Sequence, residues 1–149
     1  MALEVSVQLG GVPAPNLDPR PHFELMRRAA LRALRSAGHE EGFLSVTLLG
    51  DDAIAALNLT HLGHSDPTDS LSFRLAGPTG ELEADVYVGH EFAARVAAEE
   101  GIAWEEELVR LTVHGTLHAL GRDHPPGPDR VSSPMWSEQE SIVREVLTS

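Results

Sequence analysis

Cysteine is absent from the 149 residues, which removes disulfides and thiolate metal sites together and fits a reducing compartment. Lysine is absent as well. All 11 basic side chains are arginine, against 23 acidic ones, and the formal charge is −12. A surplus of that sign excludes a broad basic footprint for non-specific nucleic-acid binding, and DNA is not an expected partner. The all-arginine complement reads as codon composition, but Arg20, Arg27, Arg28, Arg32 and Arg35 crowd into one short segment. No apolar run approaches the ~20 residues of a membrane-spanning helix. The N-terminal MALEVSVQLGG alternates where a signal peptide would carry a basic start and a long apolar stretch. The expectation is a cytoplasmic protein with no membrane partner, one domain over residues 1–149.

What is present is periodic. Leu3, Val5, Val7 and Leu9 alternate and predict a half-buried strand. Asp18 is placed to cap a helix with Pro19 at its first position, and Gly38 to stop it. Phe23, Met26, Ala30, Leu34 and Ala37 form the inward stripe of that helix, and Arg28, Arg32 and Arg35 line another face. Residues 43–50 are nearly all apolar and predict a strand buried on both faces. Asp51 or Asp52 caps a helix through Leu59 that carries Ile54 and Leu57 inward. Strands at 70–75 and 81–88 follow as a hairpin, then helices at 90–100, 104–120 and from Pro134 to about Leu147. The order predicts an α+β fold: a four-stranded mixed sheet packed against helices, with the apolar 104–120 helix in the core.

That core helix runs into HGTLHALGRDH, residues 114–124, where three of the eight histidines fall. His114 and His118, four apart, leave one helix face a turn from each other. Gly121 supplies a left-handed stop, so the chain can fold back and bring His124 toward them. Three buried imidazoles without partners would cost on the order of 1–3 kcal/mol each; as ligands of one metal ion they are satisfied. Nitrogen ligands, no cysteine and an HxxxH pair point to Zn2+, one per chain, with a fourth position open. Asp123 has three available roles: orienting a ligand histidine from behind, acting as a base, or stopping the helix turn. Met135 belongs to the core stripe of the last helix with Ile142 and Val146. His22, His39, His61, His64 and His90 lack ligand spacing and are assigned to the surface or to local hydrogen bonds.

The spacing is similar to the metzincin signature, but Gly115 stands where the peptidase glutamate would be. A glycine there also suggests close packing, with a backbone element or a substrate passing near the metal. The fuller string HGxLHxxGxDH resembles the bacterial YbeY endoribonucleases. LNLTHLGHSDPTDSLSF (57–73) is similar to that family's LNxxYRxxDxPTDVLSF, ADVYV (84–88) to its GDIxI strand, and MWSEQESIV (135–143) to its closing helix. Leu62 departs from the pattern at an arginine, His61 at an aromatic, Arg74 at a proline, Ala84 at a glycine and Arg122 at a tyrosine.

The resemblance implies a zinc-dependent endoribonuclease specific for single strands, acting on ribosomal RNA with the small ribosomal subunit as partner. Maturation of the 16S 3′ end and ribosome quality control are the implied processes. His114, His118 and His124 would hold the metal. No residue declares itself the general acid or base. Candidate RNA contacts are Arg74 and Arg122 near the histidines and the Arg28/Arg32/Arg35 face, with His64 and Asp66 beside the PTD turn as further candidates. The competing expectation is a non-catalytic ribosome-assembly factor whose zinc serves structure or RNA docking.

Overall fold

Leu3, Val5, Val7 and Leu9 all turn to one side of strand β1 (Leu3–Leu9), as their alternation requires. The computed structural model describes residues 2–62, 69–76, 81–125 and 127–149. Strands β2 (Gly42–Leu49), β3 (Ser70–Ala76) and β4 (Leu82–Gly89) complete a sheet in the order β1-β2-β4-β3. β1 runs parallel to β2 and β2 to β4, while β3 pairs antiparallel with β4. The sheet is therefore mixed, with β3 and β4 adjacent as the hairpin reading expects.

Strand β2 corrects one expectation. Leu44, Val46 and Leu48 are fully buried, but Phe43 on the other face is 39% exposed. Beside it Ser45 and Thr47 accept hydrogen bonds from Gln8 Nε2 at 2.7 and 2.6 Å. The helix packed on β1 covers one face only, so β2 is not the doubly buried strand its apolar composition suggests.

Asp18 is also not the cap of helix α1 (Phe23–Ser36). Its carboxylate accepts from the Arg20 N–H at 3.0 Å and opens a separate 3-10 turn, Arg20–His22, that runs into the helix. Pro19 and Pro21 withhold N–H groups from an earlier α-helical turn. Helix α2 (Asp51–Leu62) runs three residues past Leu59. Its first N–H, at Asp51, is satisfied not by either aspartate but by Glu91 Oε1 at 2.6 Å. The Asp51 carboxylate is engaged by Arg95. Both partners come from helix α3 (His90–Glu100), which ties the two helix starts together. Ile54 is buried as expected, and Leu57 is half-buried.

Helix α4 (Trp104–Ala119) lies in the middle. It contacts β3 and β4 on one side and α1, α3 and α5 (Pro134–Thr148) on the others. Eleven of its residues are buried, from Glu107 to Ala119, so a helix apolar around most of its circumference sits where that pattern demands. Thr112 and Thr116 are buried too, and their hydroxyls bond back to the carbonyls of Leu108 and Thr112, each at 2.8 Å. Leu108 and Leu111 join the core against the sheet. Val109, Val113 and Leu117 join a second core formed with Ala29, Ala33, Met135, Ile142 and Val146. Each large aliphatic side chain so buried contributes roughly 1.5–3 kcal/mol. Among the described residues no helix is long and apolar enough to cross a membrane.

His90, assigned from sequence to the surface or a local hydrogen bond, is 2% exposed at the start of α3. Burial lowers its pKa, as it does for His114 and His118. Between those lowered values and the ordinary value near ~6.5, the unfolded chain binds protons that the folded chain refuses. The stability that these three neutral histidines contribute to the metal-free protein is therefore present above about pH 6.5 and is lost as pH drops below it. The urea midpoint should decline from pH 7.5 to pH 6; a midpoint that is flat or rises over that range contradicts the assignment of neutral buried histidines.

Candidate metal centre

The close of α4 builds the site. Gly121 takes φ +91°, its N–H donates to the His118 carbonyl at 3.0 Å, and the Arg122 N–H reaches back to the Leu117 carbonyl at 3.0 Å. This pair of bonds is the Schellman turn that a glycine after a helix permits. It does two things at once. It turns the chain so that His124 returns toward the helix, and it delivers the Arg122 carbonyl to His118 Nδ1 at 3.0 Å.

The three rings converge. Centroids lie 4.5 Å apart for His114 and His118, 5.2 Å for His114 and His124, and 5.0 Å for His118 and His124. One nitrogen of each lies within 4.8 Å of the other two, a group that can hold a metal ion. The remaining nitrogens are occupied. His118 Nδ1 faces the Arg122 carbonyl, His124 Nδ1 faces the Pro125 carbonyl at 3.0 Å, and His114 Nδ1 faces Gln139 Oε1 at 2.7 Å. A carbonyl oxygen only accepts, so an Nδ1 bonded to one is the donor, and a neutral ring held that way keeps its lone pair on Nε2. That is the arrangement metal-binding histidines need, with the second nitrogen anchored behind the ligand. Burial favours the neutral, ligating form of His114 and His118.

Gln139 escaped the sequence reading. It is 1% exposed on α5 and supplies from the opposite helix the anchor that Asp123 was a candidate to supply. The Asp123 carboxylate instead accepts from the His124 backbone N–H at 2.8 Å, so it holds that histidine through its main chain rather than its ring. Met135 lies in the core with Ile142 and Val146, as the stripe predicts. Gly115 faces the sheet: a Cβ there would come within 2.5 Å of Val86 Cγ1. Its carbonyl accepts from Ser72 Oγ at 2.7 Å. The close packing is real, but the neighbour is strand β4, not a substrate.

Arg74 Nη1 reaches the Ala119 carbonyl at 3.4 Å, and Arg122 pairs with Glu138 at 3.2 Å, so both stand beside the histidine turn. The helix α1 arginines are elsewhere. Arg32 is paired with Glu145, and Arg28 donates to Ser149 at 2.6 Å. With Arg27 and Arg35 they line a recess of about 580 Å³ at the far end of α5. His61, at the position where the family pattern has an aromatic, sets its ring 5.1 Å from that of Phe73, tilted by 58°. His64 and Asp66 lie outside the described residues. A groove of about 400 Å³ opens beside His114, lined among others by Asp69, Arg130, Trp136 and Gln139. Arg130 lies over the Trp136 ring at 5.7 Å.

A profile of the family described as "Endoribonuclease YbeY" matches residues 19–147. The chain belongs to the YbeY family. Relatives named "Endoribonuclease YbeY" include one from Symbiobacterium thermophilum, 41% identical over 82% of this chain and 85% of that protein. Another, from Aquifex aeolicus, is 40% identical over 78% and 77% of the two chains. The solution structure of a Thermotoga maritima protein aligns with 97% of this chain and 90% of its own, at TM-score 0.61 and 25% identity. The YbeY match takes in the three histidines, the Schellman turn and Gln139, so the whole site lies inside the shared region.

Proposed function

We propose that this YbeY protein is a zinc-dependent endoribonuclease that cleaves single-stranded RNA in ribosomal RNA maturation, in the cytoplasm, with the small ribosomal subunit as its partner. The observation that carries the metal part is that one nitrogen of each ring lies within 4.8 Å of the other two while each Nδ1 faces an anchoring oxygen. The RNA part is supported by the family and by the names of its members. Three neutral nitrogens without a thiolate suit zinc better than harder cations that prefer oxygen.

His114, His118 and His124 would hold the ion, which would supply Lewis acidity to activate water and to offset charge on phosphoryl oxygens. Gln139 and the carbonyls of Arg122 and Pro125 keep the three rings from rotating. Asp123 fixes the main chain of the last ligand. RNA reaches the site by local contacts, since the −12 charge denies the protein a general attraction for phosphate. Arg74 and Arg122 are the nearest candidates, and the Arg28/Arg32/Arg35 face is a more distant one. The groove beside His114 offers Trp136 as a surface on which an unpaired base can stack.

The test is cleavage of a defined single-stranded RNA by zinc-loaded protein, beside a His114→Ala control. Cleavage is expected with the unaltered chain and at least about 100-fold less with the variant, in line with loss of a metal that lowers the barrier by several kcal/mol. Zinc retained without any cleavage would favour the assembly-factor reading.

A further inference from the structure

Of the three histidines, His114 alone is anchored by a group that can turn round. The carbonyls of Arg122 and Pro125 belong to the main chain and present oxygen whatever happens. A primary amide carries an oxygen and an NH2 in nearly interchangeable positions, so Gln139 left to itself has no reason to present the oxygen. A chain of contacts leads away from it. Gln139 Nε2 donates to Glu140 Oε2 at 3.0 Å. Arg110 grips Glu140 with Nε and Nη2, both at 2.9 Å, and its guanidinium is held in turn by Glu106 at 3.0 Å and Glu107 at 3.1 Å.

We propose that Glu140 and Arg110 are positioning residues for the metal: they lock the Gln139 amide so that its oxygen faces His114, and thereby fix His114 with its proton on Nδ1 and its lone pair on Nε2. The chemistry is a matter of which atoms can donate. An ionised carboxylate only accepts, so the amide NH2 must face Glu140 and the oxygen must face the ring. Burial acts to raise the Glu140 pKa, but the hydrogen bonds from Arg110 and Gln139 outweigh it and keep the carboxyl below its ordinary range. A reversed amide would set oxygen against carboxylate and NH2 against Nδ1. The ring would then carry its proton on Nε2, where the metal should bind. Because Gln139 is 1% exposed, no solvent is present to compensate either error.

The inference rests on the metal reading of the three histidines, yet its central claim is readable without metal. In metal-free protein with 15N-labelled histidine, two-bond 1H–15N correlation spectra should show His114 protonated on Nδ1. Glu140→Ala removes the acceptor while leaving Arg110 paired with Glu106 and Glu107. It should bring up the Nε2-protonated form and weaken zinc binding, measured against a chromophoric chelator, by about 10–100-fold. The double variant Gln139→Glu/Glu140→Ala has a carboxylate with two equivalent oxygens and nothing to orient. It should restore the Nδ1 proton and bring zinc affinity back to within about threefold of the unaltered protein, since the anchor for the ring is again in place.

A merely structural role for Glu140 predicts no such rescue. Failure of the double variant to recover, or a Glu140→Ala protein with unchanged tautomer and affinity, overturns the proposal. If Glu140→Ala does not fold, the unaltered protein still decides, because a proton on Nε2 of His114 there overturns the proposal as well. Failure of the unaltered protein to bind zinc would defeat the metal reading, and the tautomer would still judge the relay separately.

Discussion

Zinc should bind one ion per chain, and His118→Ala should lose it. Three imidazoles form the group that could hold the ion, so removing one leaves two nitrogens and frees the Arg122 carbonyl that had anchored it. Affinity should fall by more than about 100-fold, beyond the 10–100-fold that follows from disturbing only the groups behind a ligand. Metal analysis after dialysis against a weak chelator gives the stoichiometry. X-ray absorption should report three nitrogen neighbours near ~2.0–2.1 Å. A linked consequence appears in stability. Zinc at about a thousand times its dissociation constant adds about 4 kcal/mol to a protein that binds it only when folded. The thermal midpoint of the unaltered chain should therefore rise sharply with zinc, and that of His118→Ala should not. Stoichiometric zinc surviving each of the three single histidine substitutions would remove the metal centre from the account.

The convergence of the three histidines is legible because each obeys a local rule. HxxxH is a helical spacing, and the glycine three residues later announces the turn that brings back the third histidine. The anchors were not legible. Two are main-chain carbonyls, which no residue type advertises. The third is a glutamine 25 residues downstream whose value depends on how α5 packs across α4. Asp123 looked like the natural anchor because it adjoins His124, but a carboxylate one residue from a backbone N–H is captured locally.

The same division runs through the fold. Strand alternation, the helix stripe and the β3/β4 hairpin are short-range signals, and the structure bears them out. The burial of β2 on one face depends on which helices arrive later and how far they reach. The start of α2 depends on Glu91, 40 residues away. Strand β3 illustrates the point most clearly. Its register with β4 sets Ser72 opposite Val86 and Phe73 opposite Asp85. Ser72, not Phe73, thus meets α4, where it bonds the Gly115 carbonyl, while Phe73 packs with His61 and Tyr87. A polar side chain is placed inward because a helix passes too close for a large one.

That close passage makes Gly115 a position where a small change should disturb the scaffold. An added Cβ would sit 2.5 Å from Val86 Cγ1 and 3.4 Å from Ser72 Oγ. Val86 is β-branched and fully buried in the central part of β4, so it has no free rotamer to yield. Overpacking of this kind costs about 1–3 kcal/mol, against which alanine regains up to about 1 kcal/mol of helix propensity over glycine. Gly115→Ala should be destabilised by about 1–2 kcal/mol on balance, read from the denaturant midpoint at constant slope, and should still bind one zinc, since the contact lies on the sheet side of the helix. Gly115→Glu should fare much worse. The peptidase glutamate that this substitution imitates would point into Val86 rather than toward the metal, burying a carboxylate without a partner at a cost of several kcal/mol. Neither the unaltered protein nor Gly115→Glu should hydrolyse peptides in the presence of zinc. A stable Gly115→Glu protein with zinc-dependent peptidase activity would mean that residue 115 faces the metal after all, and would overturn the packing described for α4.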